Sequence, residues 1–403
     1  MPDLLLVRIE ALQRNLSRVH QEAHWKRGLA VATRLEDDNL WQTAFADIHP
    51  RAMAALRTLK TIVEGSRAGT LSPGDAWLQY HEVYGTTEDL FQECLQLQGG
   101  LAIRDRKLDE RICDVADELM RDCADALNQR LALSIPWHDA PHTNHRVKNL
   151  SRIARVRFPE WEVWAVPLVA HEYGRVAIAD HVTLRDYVAS QAKAWCTPDD
   201  QAVSVLLADA FATYTTGPAY ACALVLLRLS PFDSDARTRL FDCQRARTVL
   251  AVLDAMDRDG QYRGVRERLA EYWAGAISTT SAAVAARSST DEFDLDMGGL
   301  IELFEENFRP VVSYSSSDWA VAMTWSTQWR GHADDGPLEV PGDLPVVCRQ
   351  RDALNAAWHA RMQQPELAHR LATVTGETCA QIMANRRGRA TGGTGRIPPS
   401  GAR

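Results

Sequence analysis

The stretch from Arg157 to His181 constrains this chain most, because it places ionisable side chains inside an apolar helical pattern. Pro159 suits a first helical turn, and Trp161, Trp164, Leu168, His171 and Arg175 follow at steps of three and four residues, which sets them on one face. His171 and Glu172 therefore lie within a largely apolar segment. Burying either group alone costs several kcal/mol, roughly, so the fold must supply both with partners.

His171-Glu172-Tyr173-Gly174-Arg175 resembles the active-site helix of the zincin metallopeptidases, whose signature is His-Glu-x-x-His. In that signature two histidines on one helix face hold a Zn²⁺, and the Glu is general base for the zinc-bound water. His171 and Glu172 match the first two positions, and Arg175 stands at the second histidine. A guanidinium stays protonated and has no lone pair for a metal. In the gluzincin branch the third ligand is the Glu of a Glu-x-x-x-Asp pattern on a following helix. The matching stretch, Val205-Leu206-Leu207-Ala208-Asp209, keeps the Asp and has Val205 at the ligand position. The resemblance runs from Phe158 to Pro231 and implies a zincin-like helical core in which two of the three ligands are replaced.

Two uses of these residues remain open. In the first the metal is lost: Arg175 pairs with Glu172 or with the buried Asp209 and serves as a fixed cation, or forms an ordinary i,i+3 pair with Glu172 at a partly exposed edge. In the second, zinc is held by a different set. His181 follows His171 by ten residues, the metzincin spacing, although Ile178 stands where that pattern has Gly. His138, His142 and His145, in a Pro- and Asn-containing loop, are further candidate ligands. In this second use Glu172 is the base, and the resemblance places Tyr214 and Tyr220 beside the site, able to steady an oxyanion.

The rest of the chain sets bounds. Its 403 residues allow two or three domains, and 46% hydrophobic with 24% charged residues is the balance of a soluble globular protein. A net charge of −8 without a basic, aromatic-rich patch argues against nucleic-acid binding through a basic face. The apolar run at Leu4–Val7 is too short for a signal peptide, and Ala219–Leu227 is too short to span a membrane. The 8 cysteines show no CxxC pairing and read as reduced core residues of a cytoplasmic protein.

Two weaker metal patterns carry polar explanations. His20 and His24 are four residues apart on a polar helix face. Asp294, Asp296, Gly299 and Glu305 brush against a calcium-loop pattern, but Gly298 occupies its fifth position, and acidic residues suit a helix start. Trp319, Trp325, Trp329 and Trp358 cluster in the last third. Exposed, they would mark a partner surface; buried, they are core.

The expected fold is mainly α, a multi-helix protein with a zincin-like helical core and little or no β-sheet. Helical stripes cover the first third, including Leu5, Ile9, Leu12 and Leu16, and a fourth helix is expected from Asp109 to Leu133. The organisation read from composition and punctuation is a helical region at 1–135, core helices at 136–232, a C-terminal helical region at 233–386 and a disordered tail at 387–403. The expected function is a degenerate metallopeptidase-like interaction or scaffold subunit, of a kind suited to a bacterial multi-protein system. It needs a protein partner, no membrane and no cofactor. The alternative is a zinc-dependent hydrolase built on His171 and Glu172.

Overall fold

The computed structural model describes residues 3–25, 48–106, 108, 111–126, 133–137, 153–157, 162–194, 200–230, 236–278, 296–308, 313–331, 337–342, 344–345 and 348–392. These residues are mainly α-helical. The exception is one parallel pair of short strands, β1 (Leu133–Trp137) and β2 (Ile153–Arg157), aligned from Leu133 beside Ile153 to Trp137 beside Arg157. The expected helix to Leu133 thus gives way to a strand. Five residues are too few for alternation to stand out, and Pro136 is tolerated because each strand of a two-stranded pair is an edge.

The chain divides into two compact units, Met1–Cys113 with Ala132–Trp161, and Asp114–Leu131 with Glu162–Arg403. In the first, α1 (Asp3–Trp25), α2 (Ile48–Arg67) and α3 (Pro73–Asp105) pack on one another. Leu5, Ile9, Leu12 and Leu16 close against Ile48, Ala52, Leu59 and Ile62. The helix start at Ser72-Pro73 forms as its residue types predict, with the Ser72 hydroxyl accepting from the Asp75 amide at 3.1 Å. Arg51 holds the buried Glu93 through both terminal guanidinium nitrogens, Nη1 and Nη2.

The second unit contains the His-Glu segment. It begins within α4 (Ile112–Ala126). After a 3-10 turn at Val163–Leu168 come α5 (Val169–Asp180), α6 (Val182–Ala194), α7 (Asp200–Thr216) and α8 (Pro218–Ala223), then a π turn at Leu224–Arg228. There follow α9 (Ala236–Met256), α10 (Arg263–Ser278), α11 (Met297–Asn307), α12 (Ser316–Gly331), α13 (Gln350–Gln363) and α14 (Ala368–Gly392). Residues Leu206 to Phe211 of α7 are all buried, so this stretch is enclosed on every side within the unit. α5 and α9 both pack along it, while α13 packs on α8, α12 and α14. The stretches read separately as 136–232 and 233–386 therefore share one unit from Glu162 onward.

Two glycines set this packing. A Cβ on Gly174 would stand 3.0 Å from the Ala208 carbonyl oxygen, so glycine lets α5 and α7 approach closely. Gly217 joins α7 to α8 at φ +73° and lies under the Tyr314 ring, where a Cβ would come within 2.3 Å. The same turn is clamped by α13. Asn355 donates to the Thr216 carbonyl at 2.7 Å and accepts from the Ala219 amide at 2.8 Å, and Arg351 donates to the Thr215 carbonyl at 3.0 Å. These bonds satisfy backbone groups that helix ends leave open.

The last helix runs to Gly392, past the expected start of the tail, and Arg386 bonds Glu118 at 2.9 Å. Its final turns lack apolar periodicity because their residues are mostly Arg, Gly and Thr, so the pattern could not announce them. Residues 393–403 of the expected tail lie outside the described residues. Trp319, Trp325, Trp329 and Trp358 are buried, and the last two donate their indole N–H groups to the carbonyls of Glu339 and Trp164. They are core. Among the described residues no helix is long and apolar enough to cross a membrane.

Candidate functional site

Asp209 is the centre of the site. It sits on the fully buried face of α7, and its carboxylate draws side chains from three other helices. From α5, His171 Nδ1 lies 2.7 Å from Oδ1. From α8, the Tyr220 hydroxyl donates to the same oxygen at 2.5 Å and lies 3.5 Å from His171 Nδ1. From α9, Arg245 forks onto the carboxylate, with Nε 2.7 Å from Oδ2 and Nη2 3.0 Å from Oδ1. A fork of this kind is the strongest geometry a guanidinium offers a carboxylate.

Charge follows from this arrangement. Burial opposes ionisation of Asp209, but Arg245 and His171 outweigh it and hold the carboxyl far below the usual range. Burial would likewise lower Arg245, and the facing carboxylate more than reverses that. His171 is the group that yields: burial drives it below its usual value, Arg245 adds to this, and the attraction of Asp209 does not restore it. Burial and the adjacent carboxylate keep the Tyr220 hydroxyl protonated far above its usual range. A neutral His171 beside an ionised acceptor must carry its proton on Nδ1 and donate it, which leaves the lone pair on Nε2.

The other residues singled out in the sequence lie around this network in different ways. Arg175 Nη1 is 3.8 Å from Glu172 Oε2, a loose i,i+3 ion pair with Arg175 33% exposed. The cation bonded to Asp209 is Arg245. Tyr214 points into the core, where its ring packs 5.2 Å from that of Phe304. His181 caps α5 through its backbone amide, packs edge-on against Phe308, and has a buried Nδ1 with no hydrogen-bond partner among the described residues. Asp296 caps α11, accepting from the Gly299 amide at 3.1 Å. His138, His142, His145 and Asp294 lie outside the described residues, as do the side chains of His20 and His24.

Arg245 was not singled out by the sequence reading, although a signal for it exists. It falls on the stripe Asp242, Ala246, Val249 and Leu253, all buried in α9. A guanidinium in such a stripe demands a buried anion. Finding which anion required the approach of α9 to α7, which no local pattern encodes.

The fit to a zincin metal can be judged from these side chains. Asp209 orients His171 as a carboxylate orients a metal-bound histidine. The remaining positions do not fit: Arg175 is a cation, and Val205 is aliphatic. Among the described residues no three His, Cys, Asp or Glu side chains are grouped to hold a metal ion. No family model matches the chain, and neither a curated protein nor a solved structure matches it.

Proposed function

We propose that this chain is a catalytically degenerate, zincin-like helical protein that serves as an interaction or scaffold subunit for a protein partner, in the cytoplasm and within a bacterial multi-protein system. The observation that carries the proposal is the fork of Arg245 on Asp209 at 2.7 and 3.0 Å. The buried carboxylate that would support a metal-bound histidine is already neutralised by a covalently attached cation. Arg175 and Val205 stand where the resemblance calls for ligands, and neither residue type binds zinc. The network then ties α5, α7, α8 and α9 together as a rigid support.

One observation favours the alternative, a zinc-dependent hydrolase. Hydrogen bonding to Asp209 leaves the His171 lone pair on Nε2, the state a metal ligand needs. Size-exclusion chromatography of native extract and peptide hydrolysis by the purified chain separate the two. The proposal expects elution in a complex larger than one chain, unchanged in Glu172→Gln, and no zinc-dependent hydrolysis. Elution as a single chain, with hydrolysis that Glu172→Gln abolishes, would establish the hydrolase instead.

A further inference from the structure

Asp352 lies in the first turn of α13 with its carboxyl sealed in the protein. The residue is 1% exposed, its Oδ2 accepts from the Arg349 amide at 2.8 Å, and its Oδ1 is buried with no hydrogen-bond partner among the described residues. Charged and titratable groups surround it. Asp318 on α12 accepts from Arg351 Nη2 at 2.8 Å, and the buried hydroxyl of Tyr314 has no hydrogen-bond partner among the described residues. Tyr262, at the start of α10, donates to the Tyr314 carbonyl at 3.3 Å, and Arg349 and Arg351 flank Asp352 in sequence. Burial first, and the like charge of Asp318 second, push the Asp352 carboxyl up to about 7.

The neighbouring residue connects this carboxyl to the α7–α8 turn. Arg351 divides its guanidinium between Asp318 and the Thr215 carbonyl. One turn further along α13, Asn355 holds Thr216 and Ala219. An ionised Asp352 would compete with these acceptors for Arg351 and would add a fully buried negative charge beside the partly exposed Asp318. We propose that Asp352 is a proton-operated latch: its neutral carboxyl lets α13 grip the turn that joins α7 to α8, and ionisation loosens that grip. The turn links Asp209 to Tyr220, so the latch adjusts the support beneath the buried network.

The direction with pH follows from linkage. Because the folded value lies above the unfolded one, the stabilisation is fully present below about pH 4 and is lost as pH rises to about 7, changing the unfolding constant by up to about tenfold per pH unit.

The test uses the full chain labelled with ¹³C at aspartate carboxyls, with the Asp352 resonance identified by its loss in Asp352→Asn. Hydrogen exchange at the Ala219 amide, corrected for intrinsic exchange, reports the grip of α13. A carboxyl midpoint near 7 is expected, with Ala219 protection falling about tenfold from pH 6 to pH 8 in the wild type and unchanged across that range in Asp352→Asn. A midpoint in the ordinary carboxylate range, or wild-type protection equal at both pH values, would overturn the proposal. If Asp352→Asn does not fold, Asp318→Asn takes its place. Removing the neighbouring charge should lower the midpoint, and an unchanged midpoint would also refute the latch.

Discussion

Replacing Arg245 by Met keeps much of its length and apolar stem while removing the cation that Asp209 depends on. The carboxylate is 0% exposed and would keep, among the described residues, only His171 and Tyr220 as partners. Breaking a buried pair from one side costs about 3–5 kcal/mol, because the remaining charge is left uncompensated. The cost should depend on pH in one direction. In the wild type His171 is held below its usual value by burial first, with Arg245 acting in the same sense. Without Arg245 one of the two influences that lower His171 is gone while the attraction of Asp209 remains, so the imidazole should take up a proton at a higher pH than in the wild type.

A folded-state value higher than the wild type's lets the variant bind this proton more readily, so it regains stability relative to the wild type as pH falls towards that value. Arg245→Met should therefore show its full cost at pH 8.5. At pH 6 the cost should be smaller, by up to about 1.4 kcal/mol for each unit by which the imidazole is raised. Adding Asp209→Asn should recover about 2 kcal/mol at pH 8.5, since no buried charge then remains. Urea unfolding followed by circular dichroism at the two pH values measures these differences. A cost below about 1 kcal/mol at both, or equal costs of any size, would refute the electrostatic account of this network.

Gly217→Ala should lower stability by about 3 kcal/mol or more, read as a large fall in the thermal unfolding midpoint, because it forces a Cβ against the Tyr314 ring at positive φ. Arg175→Ala should change stability by less than about 0.5 kcal/mol in urea unfolding, since its pair with Glu172 is loose and partly solvated. In wild-type protein the His171 imidazole should titrate below about 6.5 by NMR. A histidine lowered in the folded state contributes stability present above about pH 6.5 and lost as pH falls through its folded value, so acidification should weaken the fold through this residue.

The His-Glu helix could be picked out in the sequence because spacing and residue type coincide there, while Asp209 and Tyr220 came from the resemblance to the zincin helices. His171 repeats with the apolar face of its helix, and Asp209 stands in the otherwise apolar Leu206-Leu207-Ala208-Asp209-Ala210-Phe211. Arg245 escaped notice because α9 carries several arginines: its place on an apolar stripe marks it, but only packing against α7 identifies Asp209 as its partner. The clamp of α13 on the α7–α8 turn was hidden in the same way, since Asn355 is 136 residues from Ala219. Gly217 was legible as punctuation, but its positive φ beneath Tyr314 was not. The β1–β2 pair was missed because two five-residue strands with a proline carry too little pattern to outweigh a helical background.

In the function proposed above, Arg245 is an internal cation that fills the electrostatic role of a metal beside Asp209. Elemental analysis of the protein, purified without chelator and without an affinity-tag metal, tests this most directly. The account predicts well under one zinc per chain and unfolding that chelator does not shift. About one zinc per chain, lost in His171→Ala, would contradict it and identify His171 as a working ligand.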